Sequence, residues 1–159
     1  ALESGFKTGA VELDAVRLRA ALSEVMRLAS EVNKYLDVTA PWQMVKTDKA
    51  AAGRSIYTAL KAIDSLKMLF APFLPFTSDR LHEFMGYEGS LFGRQETRAI
   101  TDSLGEHTVL LYDHAGATGT WEPSQLPAGQ VLRQPQPLFR KLEPQIVEEE
   151  RARLGKPTK

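Results

Sequence analysis

Residues 18–36 read LRAALSEVMRLASEVNKYL, and this stretch decides the fold class. Its apolar residues recur at steps of four and three along the chain, which places them on one face of an α-helix. That face is made by Leu18, Leu22, Val25, Ala29, Val32 and Leu36. The pattern predicts a helix over residues 12–36. It should end near Asp37, because Pro41 disfavours helical geometry at Ala40.

A short turn and a second long helix are expected next. The stretch Thr39-Ala40-Pro41-Trp42 predicts a fresh helical start, with Thr39 as a possible cap and Pro41 tolerated in the first turn. Either Thr47 or Asp48 can cap the following helix, which we expect from about residue 49 to residue 70. Its apolar face again steps by four and three, through Ala52, Ile56, Ala59, Ile63, Leu66 and Phe70.

A third helix is expected between Pro75 and Gly86. Thr77 or Ser78 can cap it, and Gly86 is a natural stop because glycine adopts the left-handed conformation at low cost. Three amphipathic helices in sequence, each with one apolar stripe, need one another to bury those stripes. The sequence therefore predicts an all-α fold, with an antiparallel helical bundle over residues 1–86.

The helical periodicity fades after residue 86, where glycine and proline become frequent. Within this part, only Val109–Tyr112 looks extended, and it has no obvious partner strand. We expect residues 87–143 to form a long irregular segment that packs on the bundle through apolar anchors, namely Leu91, Phe92, Trp121, Leu132, Leu138 and Phe139. Residues 144–159 should form a C-terminal docking helix, from Pro144 to about Leu154, followed by a tail.

The composition excludes several classes of site. Twenty Lys and Arg residues balance twenty Asp and Glu residues, which argues against a polybasic nucleic-acid binder but not against one that relies on a few local contacts. The chain has no cysteine, so disulfides, thiolate zinc sites and cysteine nucleophiles are excluded. The three histidines, His82, His107 and His114, lack ligand-like spacing, and no phosphate-cradling glycine loop occurs. We therefore assign no catalytic residue and no metal ligand.

The apolar stretches are too short to span a membrane, and the first residues lack the pattern of a signal peptide. A cytoplasmic location without a membrane partner is therefore expected.

One segment is unusual for a simple bundle. Trp42 stands at a break between helices, beside a rigid proline and near four cationic residues, Lys34, Lys46, Lys49 and Arg54. A lone tryptophan at such a place is most often a large apolar anchor that closes the bundle. A flat aromatic ring surrounded by cations is also suited to stacking an unpaired base while the phosphates are held nearby. The residues themselves leave both interpretations open.

The run Asn33-Lys34-Tyr35-Leu36, followed by Ala40-Pro41-Trp42, resembles the helical anticodon-binding domain of the class I aminoacyl-tRNA synthetases for aliphatic amino acids and methionine. Residues 70–77 (FAPFLPFT) resemble the break between bundle helices in that group. Residues 135–143 (PQPLFRKLE) resemble the signature that closes the bundle in the methionyl-tRNA synthetases of bacterial type. The matches occur in the right order, so the chain is similar to the C-terminal anticodon-binding domain of that family.

The resemblance implies that Trp42 stacks on the first anticodon base, a cytosine, of the methionine tRNAs. Asn33, Lys46 and Arg54 are candidates for base or backbone contacts beside it. The implied partners are the anticodon loop of tRNA(Met) and the catalytic domain of the same synthetase, toward which the C-terminal helix runs. No cofactor is expected in this chain. ATP and methionine are implied for the catalytic domain, whose ATP-binding and adenylate-forming loops are absent from this sequence.

Two alternatives remain at this stage. The first is an all-α structural or interaction module that never touches RNA. The environment of Trp42 separates this alternative from the tRNA-binding hypothesis. A Trp42 side chain exposed in a basic cleft supports RNA binding, and a buried Trp42 side chain supports a scaffold. The second is the same domain from a valyl-, isoleucyl- or leucyl-specific relative, which residues 137–143 disfavour. The resemblance also places an Asn and an Arg of the anticodon site on a first bundle helix upstream of Ala1, so apolar surface is expected to be uncovered where that helix would pack.

Overall fold

The structure, a computed structural model, describes residues 2–154. Its elements are the helices and strands α1 (Leu2–Asp14), α2 (Leu18–Thr39), α3 (Pro41–Met44), α4 (Lys49–Phe70), α5 (Pro75–Phe84), β1 (Arg94–Asp102), β2 (Gly105–Asp113) and α6 (Gln145–Arg153). Helices α1, α2 and α4 pack on one another, and α5 adds to α4. This part is the helical bundle that the sequence predicts.

The core lies between α1, α2 and α4. Its buried members are Phe6, Val25, Leu28, Val32, Ala62, Leu66 and Leu69. Helix α1 approaches closely because it presents Gly5 to this core, where a β-carbon would overlap the side chain of Leu28. Deletion of a buried leucine such as Leu28 typically costs about 2–5 kcal/mol, so this cluster dominates the stability of the bundle.

The buried stripe of α2 is rotated relative to the prediction. It contains Ala21, Val25, Leu28 and Val32, whereas Leu18 and Leu22 of the predicted stripe are 54% and 37% exposed. With Met26, the exposed leucines form a second apolar face of α2. At Met26 this face borders a cavity of about 480 Å³, whose lining includes Phe70, Leu74, Leu81, Leu138 and Phe139. Apolar surface is therefore uncovered along α2.

The single helix predicted over residues 12–36 is wrong, because the chain breaks at residues 15–17. Val16 has a φ of 57°, a left-handed conformation that is costly for a β-branched residue. The Arg17 amide donates to the Glu12 carbonyl oxygen at 2.8 Å, and the two side chains form an ion pair at 2.5 Å. A helix at residues 2–14 thus precedes α2 and packs antiparallel to it.

Two of the three predicted caps are wrong. Thr39 lies in α2 and its hydroxyl donates to the Tyr35 carbonyl oxygen, so it does not cap α3. Thr77 and Ser78 lie inside α5, which begins at Pro75 and has no side-chain cap. Asp48 is the cap of α4, where its carboxylate accepts from the Ala51 amide at 2.8 Å. Gly86 follows the end of α5 with a φ of 82°, as predicted.

The all-α prediction is wrong for residues 94–113, which form a β-hairpin. Strand β2 contains the predicted extended run Val109–Tyr112, and its partner is β1, with Arg94 opposite Asp113 and Asp102 opposite Gly105. A tight turn joins them, in which the Leu104 amide donates to the Asp102 carboxylate. Strand β1 could not be recognised from the sequence, because buried and exposed residues do not alternate along it. Eight of its nine residues are exposed.

The remaining chain crosses the bundle without regular structure before α6. Leu91 is buried and Trp121 is half-buried against the core, as predicted for anchors, and Leu126 is an additional buried anchor. Leu132 and Phe139 are exposed, so these two predicted anchors are wrong. Helix α6 has no buried residue. Residues 155–159 of the predicted C-terminal tail lie outside the described residues.

Among residues 2–154, no helix combines the length and the apolar character needed to cross a membrane.

Candidate nucleic-acid interface

The turn between α2 and α3 presents Trp42 at one end of the bundle. The residue before a proline is disfavoured in the right-handed helical region, and here Ala40 takes the left-handed conformation instead, with φ 36° and ψ 57°. Its amide still donates to the Leu36 carbonyl oxygen, and its own carbonyl oxygen accepts from the Gln43 amide. Pro41 is buried in the first turn of α3. The chain therefore changes direction at the strained residue Ala40, and Trp42 follows two residues later.

Trp42 is exposed rather than buried. Its side chain is 55% accessible and forms no hydrogen bond with a described residue. Lys46 follows four residues later in the same helical segment, the spacing at which side chains on an α-helix are neighbours. The Val45 amide bonds to the Pro41 carbonyl oxygen at 3.0 Å, so this segment continues past the end of α3. The structure thus places Trp42 and Lys46 on one short, exposed turn.

The cations around Trp42 are free of carboxylate partners. Some arginines elsewhere do form ion pairs, such as Arg17 with Glu12, Arg27 with Glu24 and Arg133 with Glu88. At this end of the bundle, no described residue forms an ion pair with the exposed residues Lys34, Lys46, Lys49 and Arg54. Lys46 therefore lies next to the exposed ring of Trp42 without a carboxylate partner among the described residues.

The four predicted site residues do not form one cluster. Asn33 is exposed and lines the apolar cavity together with Ile63 of α4. Arg54 precedes Ile63 by nine residues, which is about two and a half turns, so it projects from the opposite side of α4. Arg54 lies on the same side of α4 as Thr58, and Thr58 lines a different cavity together with Tyr35. Helical geometry therefore separates Asn33 from Arg54.

Trp121, the second tryptophan, is an anchor. Its indole Nε1 donates to the Phe6 carbonyl oxygen at 3.0 Å, and its ring packs edge-on against Phe6 at 5.4 Å between centroids. It belongs to the half-buried shell of the core. The two tryptophans of this chain thus occupy opposite environments.

A buried polar network, which was not predicted from the sequence, lies at the other side of the bundle. Asp64 and Lys67 of α4 are each 4% exposed and form an ion pair at 2.7 Å. The Lys67 ammonium also lies 3.0 Å from His82 Nδ1, and the Tyr87 hydroxyl donates to the second Asp64 oxygen at 2.9 Å. The signal that could have revealed it is the spacing of Asp64 and Lys67, three residues apart within the apolar run near the end of α4.

The network fixes the protonation state of His82. Thr118 Oγ1 donates to the Ser90 carbonyl oxygen at 2.8 Å, so toward His82 Nε2, at 3.1 Å, it acts as the acceptor. Nδ1 is then the acceptor for the Lys67 ammonium, which makes the imidazole neutral. Burial, and then the charge of Lys67, lower the pKa of His82 below its ordinary value. Burial also raises the pKa of Tyr87, with a further contribution from Asp64.

This network joins α4 and α5 to the two chain segments that enter and leave the β-hairpin. Each polar group in it has a partner, which is typical of a structural network. Among the described residues, no cluster of His, Asp and Glu side chains has the arrangement of a metal site.

Comparisons with known proteins bear on this interface. The family described as the anticodon binding domain of methionyl tRNA ligase matches residues 1–115. The methionine–tRNA ligase of Chloroflexus aggregans is 50% identical over 151 residues, which cover 94% of this chain and 25% of the relative. The methionine–tRNA ligase of Chloroflexus aurantiacus is 47% identical over 154 residues, which cover 96% of this chain and 26% of the relative. The methionine–tRNA ligase of Thermomicrobium roseum is 50% identical over 141 residues, which cover 87% of this chain and 24% of the relative. The chain spans about a quarter of the length of these relatives.

Proposed function

Because this chain belongs to the family of anticodon binding domains of methionyl tRNA ligase, we propose that it recognises the anticodon of tRNA(Met) and stacks the first anticodon base, a cytosine, on Trp42. The observation that carries this proposal is the exposed Trp42 ring on a strained, proline-fixed turn. Stacking of one base on an aromatic side chain is worth about 1–3 kcal/mol. The unpaired cations beside it supply attraction for the phosphates of the loop.

The four residues have different parts in this function. Trp42 is the stacking platform, and Lys46 on the same turn holds a neighbouring phosphate. Arg54 contacts the backbone further along α4. Asn33 lies around the bundle from Arg54, beside the apolar cavity, so we assign it the least direct part. The chain recognises RNA and carries out no chemistry itself.

The activity of the longer protein follows as a further part of the proposal. The catalytic domain of the same synthetase, a partner outside this chain, would use ATP to attach methionine to the tRNA, in the cytoplasm. The C-terminal segment with α6 would dock on that domain.

Fluorescence of Trp42 tests the proposal. We would replace Trp121 by phenylalanine, which keeps an aromatic ring against Phe6, so that emission comes from Trp42. The Trp121→Phe chain is then titrated with the anticodon stem-loop of tRNA(Met) at low and at high salt. A second stem-loop, in which the first anticodon base is changed from cytosine to uracil, is the matched control.

We expect saturable quenching that weakens with salt and with the changed base. An unquenched Trp42 that still reports an exposed ring would contradict the recognition function and leave a helical scaffold that does not bind RNA. Equal quenching by both stem-loops would retain RNA binding but contradict selection of the cytosine.

A further inference from the structure

The β-hairpin projects from the bundle as an arm. Strands β1 and β2 pair along nine residues each, and neither strand packs extensively on a described helix. A two-stranded ribbon of this kind is only marginally stable in water when nothing covers it. The arm therefore has two uncovered faces and two open edges.

The base of the arm is nevertheless fixed to the bundle. The Asp79 carboxylate of α5 accepts from the Ser90 hydroxyl at 2.9 Å and from the Leu91 amide at 2.8 Å. The chain that leaves the arm returns to the same place, where the Thr118 amide donates to the Ser90 carbonyl oxygen at 2.9 Å. His82 of the buried network holds the Thr118 hydroxyl. The direction of the arm is thus set by the bundle.

The two faces of the arm differ in charge. Residues opposite each other in the register share a face, so one face carries five charged residues, namely Arg94, Glu96, Arg98, Asp102 and Asp113. The other face, from Gln95 and Tyr112 to Thr101 and Glu106, has one charged residue, Glu106 beside the turn. We call it the neutral face. On it, Leu110 is 65% and Tyr112 is 54% exposed.

We infer that the neutral face of this hairpin is a docking surface for protein, and that its occupant is the remaining part of the same synthetase. The face has no cation, so it offers no positive charge to attract the phosphates of RNA. Depletion of charge together with an exposed aromatic side chain such as Tyr112 is the composition found at the centre of protein–protein interfaces. Tyr112 is held in place, because its hydroxyl accepts from the Gly93 amide at 2.7 Å.

The lengths of the relatives indicate the occupant. This chain covers 25% of the Chloroflexus aggregans ligase, so a synthetase of this kind has about three quarters of its residues elsewhere in the same polypeptide. A covalently linked partner is present at high effective concentration, so a small surface is enough to hold it. This step rests on the proposed function, since it takes the chain as one domain of a synthetase.

Hydroxyl-radical footprinting tests the inference one side chain at a time. The first sample is the 159-residue chain, and the second is the Chloroflexus aggregans ligase in which this chain replaces the matching quarter. Oxidation of Leu110 and Tyr112 is compared with that of Leu104 at the turn, which is 85% exposed and serves as the internal control. Leu110→Lys disturbs the neutral face, and Leu111→Lys places the same charge one residue later on the opposite face.

We expect Leu110 and Tyr112 to be oxidised several-fold less in the longer protein, with Leu104 unchanged. Leu110→Lys should return Tyr112 to the oxidation seen in the 159-residue chain, whereas Leu111→Lys should not. Equal oxidation in both samples would overturn the inference. Protection of Leu110 by the anticodon stem-loop alone would also overturn it, in favour of an RNA contact. Loss of Trp42 quenching with the footprint intact would contradict the proposed anticodon function while leaving the docking surface in place.

Discussion

At the scale of single residues, the two tryptophans show what sequence can and cannot tell. Both are lone aromatic residues outside the predicted apolar stripes, yet Trp42 is exposed and Trp121 donates to the Phe6 carbonyl oxygen. Trp42 could be singled out because Pro41 and the nearby cations mark its position. Its exposure depends on the left-handed Ala40, and no residue type in the sequence announces that conformation.

Replacement of Trp42 by alanine should weaken binding of the anticodon stem-loop by about 1–3 kcal/mol, or about 5- to 150-fold. The ring is exposed, so the midpoint of thermal unfolding should stay within the range of ordinary surface substitutions. Titration and thermal unfolding of the same sample measure the two effects. The Trp42→Phe variant, which keeps a stacking face, should lose less affinity. A large drop in stability without a change in affinity would assign Trp42 to the fold instead.

Replacement of Asp48 by alanine should destabilise the chain by about 0.5–2 kcal/mol, because the Ala51 amide loses its cap. Thr47→Ala is the matched control, since the Thr47 hydroxyl donates to Met44 and caps nothing. Urea unfolding of both variants gives the comparison. Equal losses would mean that the cap contributes no more than a neighbouring surface hydroxyl.

The buried His82 makes stability depend on pH. Burial and the Lys67 ammonium lower its folded pKa, although the Asp79 and Asp64 carboxylates and the Glu88 backbone oppose this shift. The unfolded chain, with an ordinary pKa of about 6.5, therefore binds more protons below that pH. The free energy of unfolding should not respond to His82 above about pH 7 and should fall as the pH drops below about 6.5.

Urea unfolding between pH 8 and pH 5 measures this dependence on His82, with His82→Gln as the comparison. The variant should lose part of the decline toward acid pH, whatever its stability at pH 8. Parallel curves for the two proteins would show that His82 does not titrate differently on unfolding.

At the scale of elements, α1 was missed apart from its last residues, whereas α2, α4 and α5 were predictable because apolar residues recur along each of them at helical spacing. The break at residues 15–17 was not, since it contains neither glycine nor proline and apolar residues continue through it. Strand β1 was missed for a related reason: it is exposed on both faces, so burial imposes no alternation on its sequence. Local patterns report burial, and elements that bury little leave weak patterns.

The buried ion pair of Asp64 and Lys67 links α4 to His82 and Tyr87, so its loss should destabilise the protein strongly. Lys67→Met would leave the Asp64 carboxylate buried with only the Tyr87 hydroxyl as partner, at a cost of about 3–5 kcal/mol. Lys61→Met, on the exposed side of the same helix, should change stability by no more than about 0.5 kcal/mol. Chemical unfolding of the Lys67→Met and Lys61→Met variants measures the difference. Similar stabilities of the two variants would mean that water reaches Asp64 and replaces Lys67.

At the scale of the whole molecule, charge is balanced overall but unevenly placed. Net charge is zero, and several arginines form ion pairs, whereas no described residue pairs with Lys34, Lys46, Lys49 or Arg54. The family could be predicted from three short motifs, at residues 33–42, 70–77 and 135–143. The anticodon site at Trp42 stays a prediction. The position of the site residues relative to one another could not, because the separation of Asn33 from Arg54 depends on how α2 and α4 face each other.

This distribution predicts a shallow salt dependence of RNA binding. Each phosphate contact with a single strand contributes a slope of about −0.7 in a plot of log K against log salt, so four cations allow at most about −3. Stem-loop titrations over a range of salt concentrations measure the slope, and Arg54→Met should reduce it by about 0.7. A much steeper slope would mean that basic groups outside the Trp42 end also contact the RNA.

The left-handed Ala40 and the ring of Pro41 fix the backbone on which Trp42 stands before any ligand arrives. The protein then loses little conformational freedom when a base stacks there, and most of the ordering falls on the RNA loop. Encounter should accordingly proceed at similar speed whichever side chain occupies position 42. The residence time of the RNA is the quantity that the aromatic ring would lengthen.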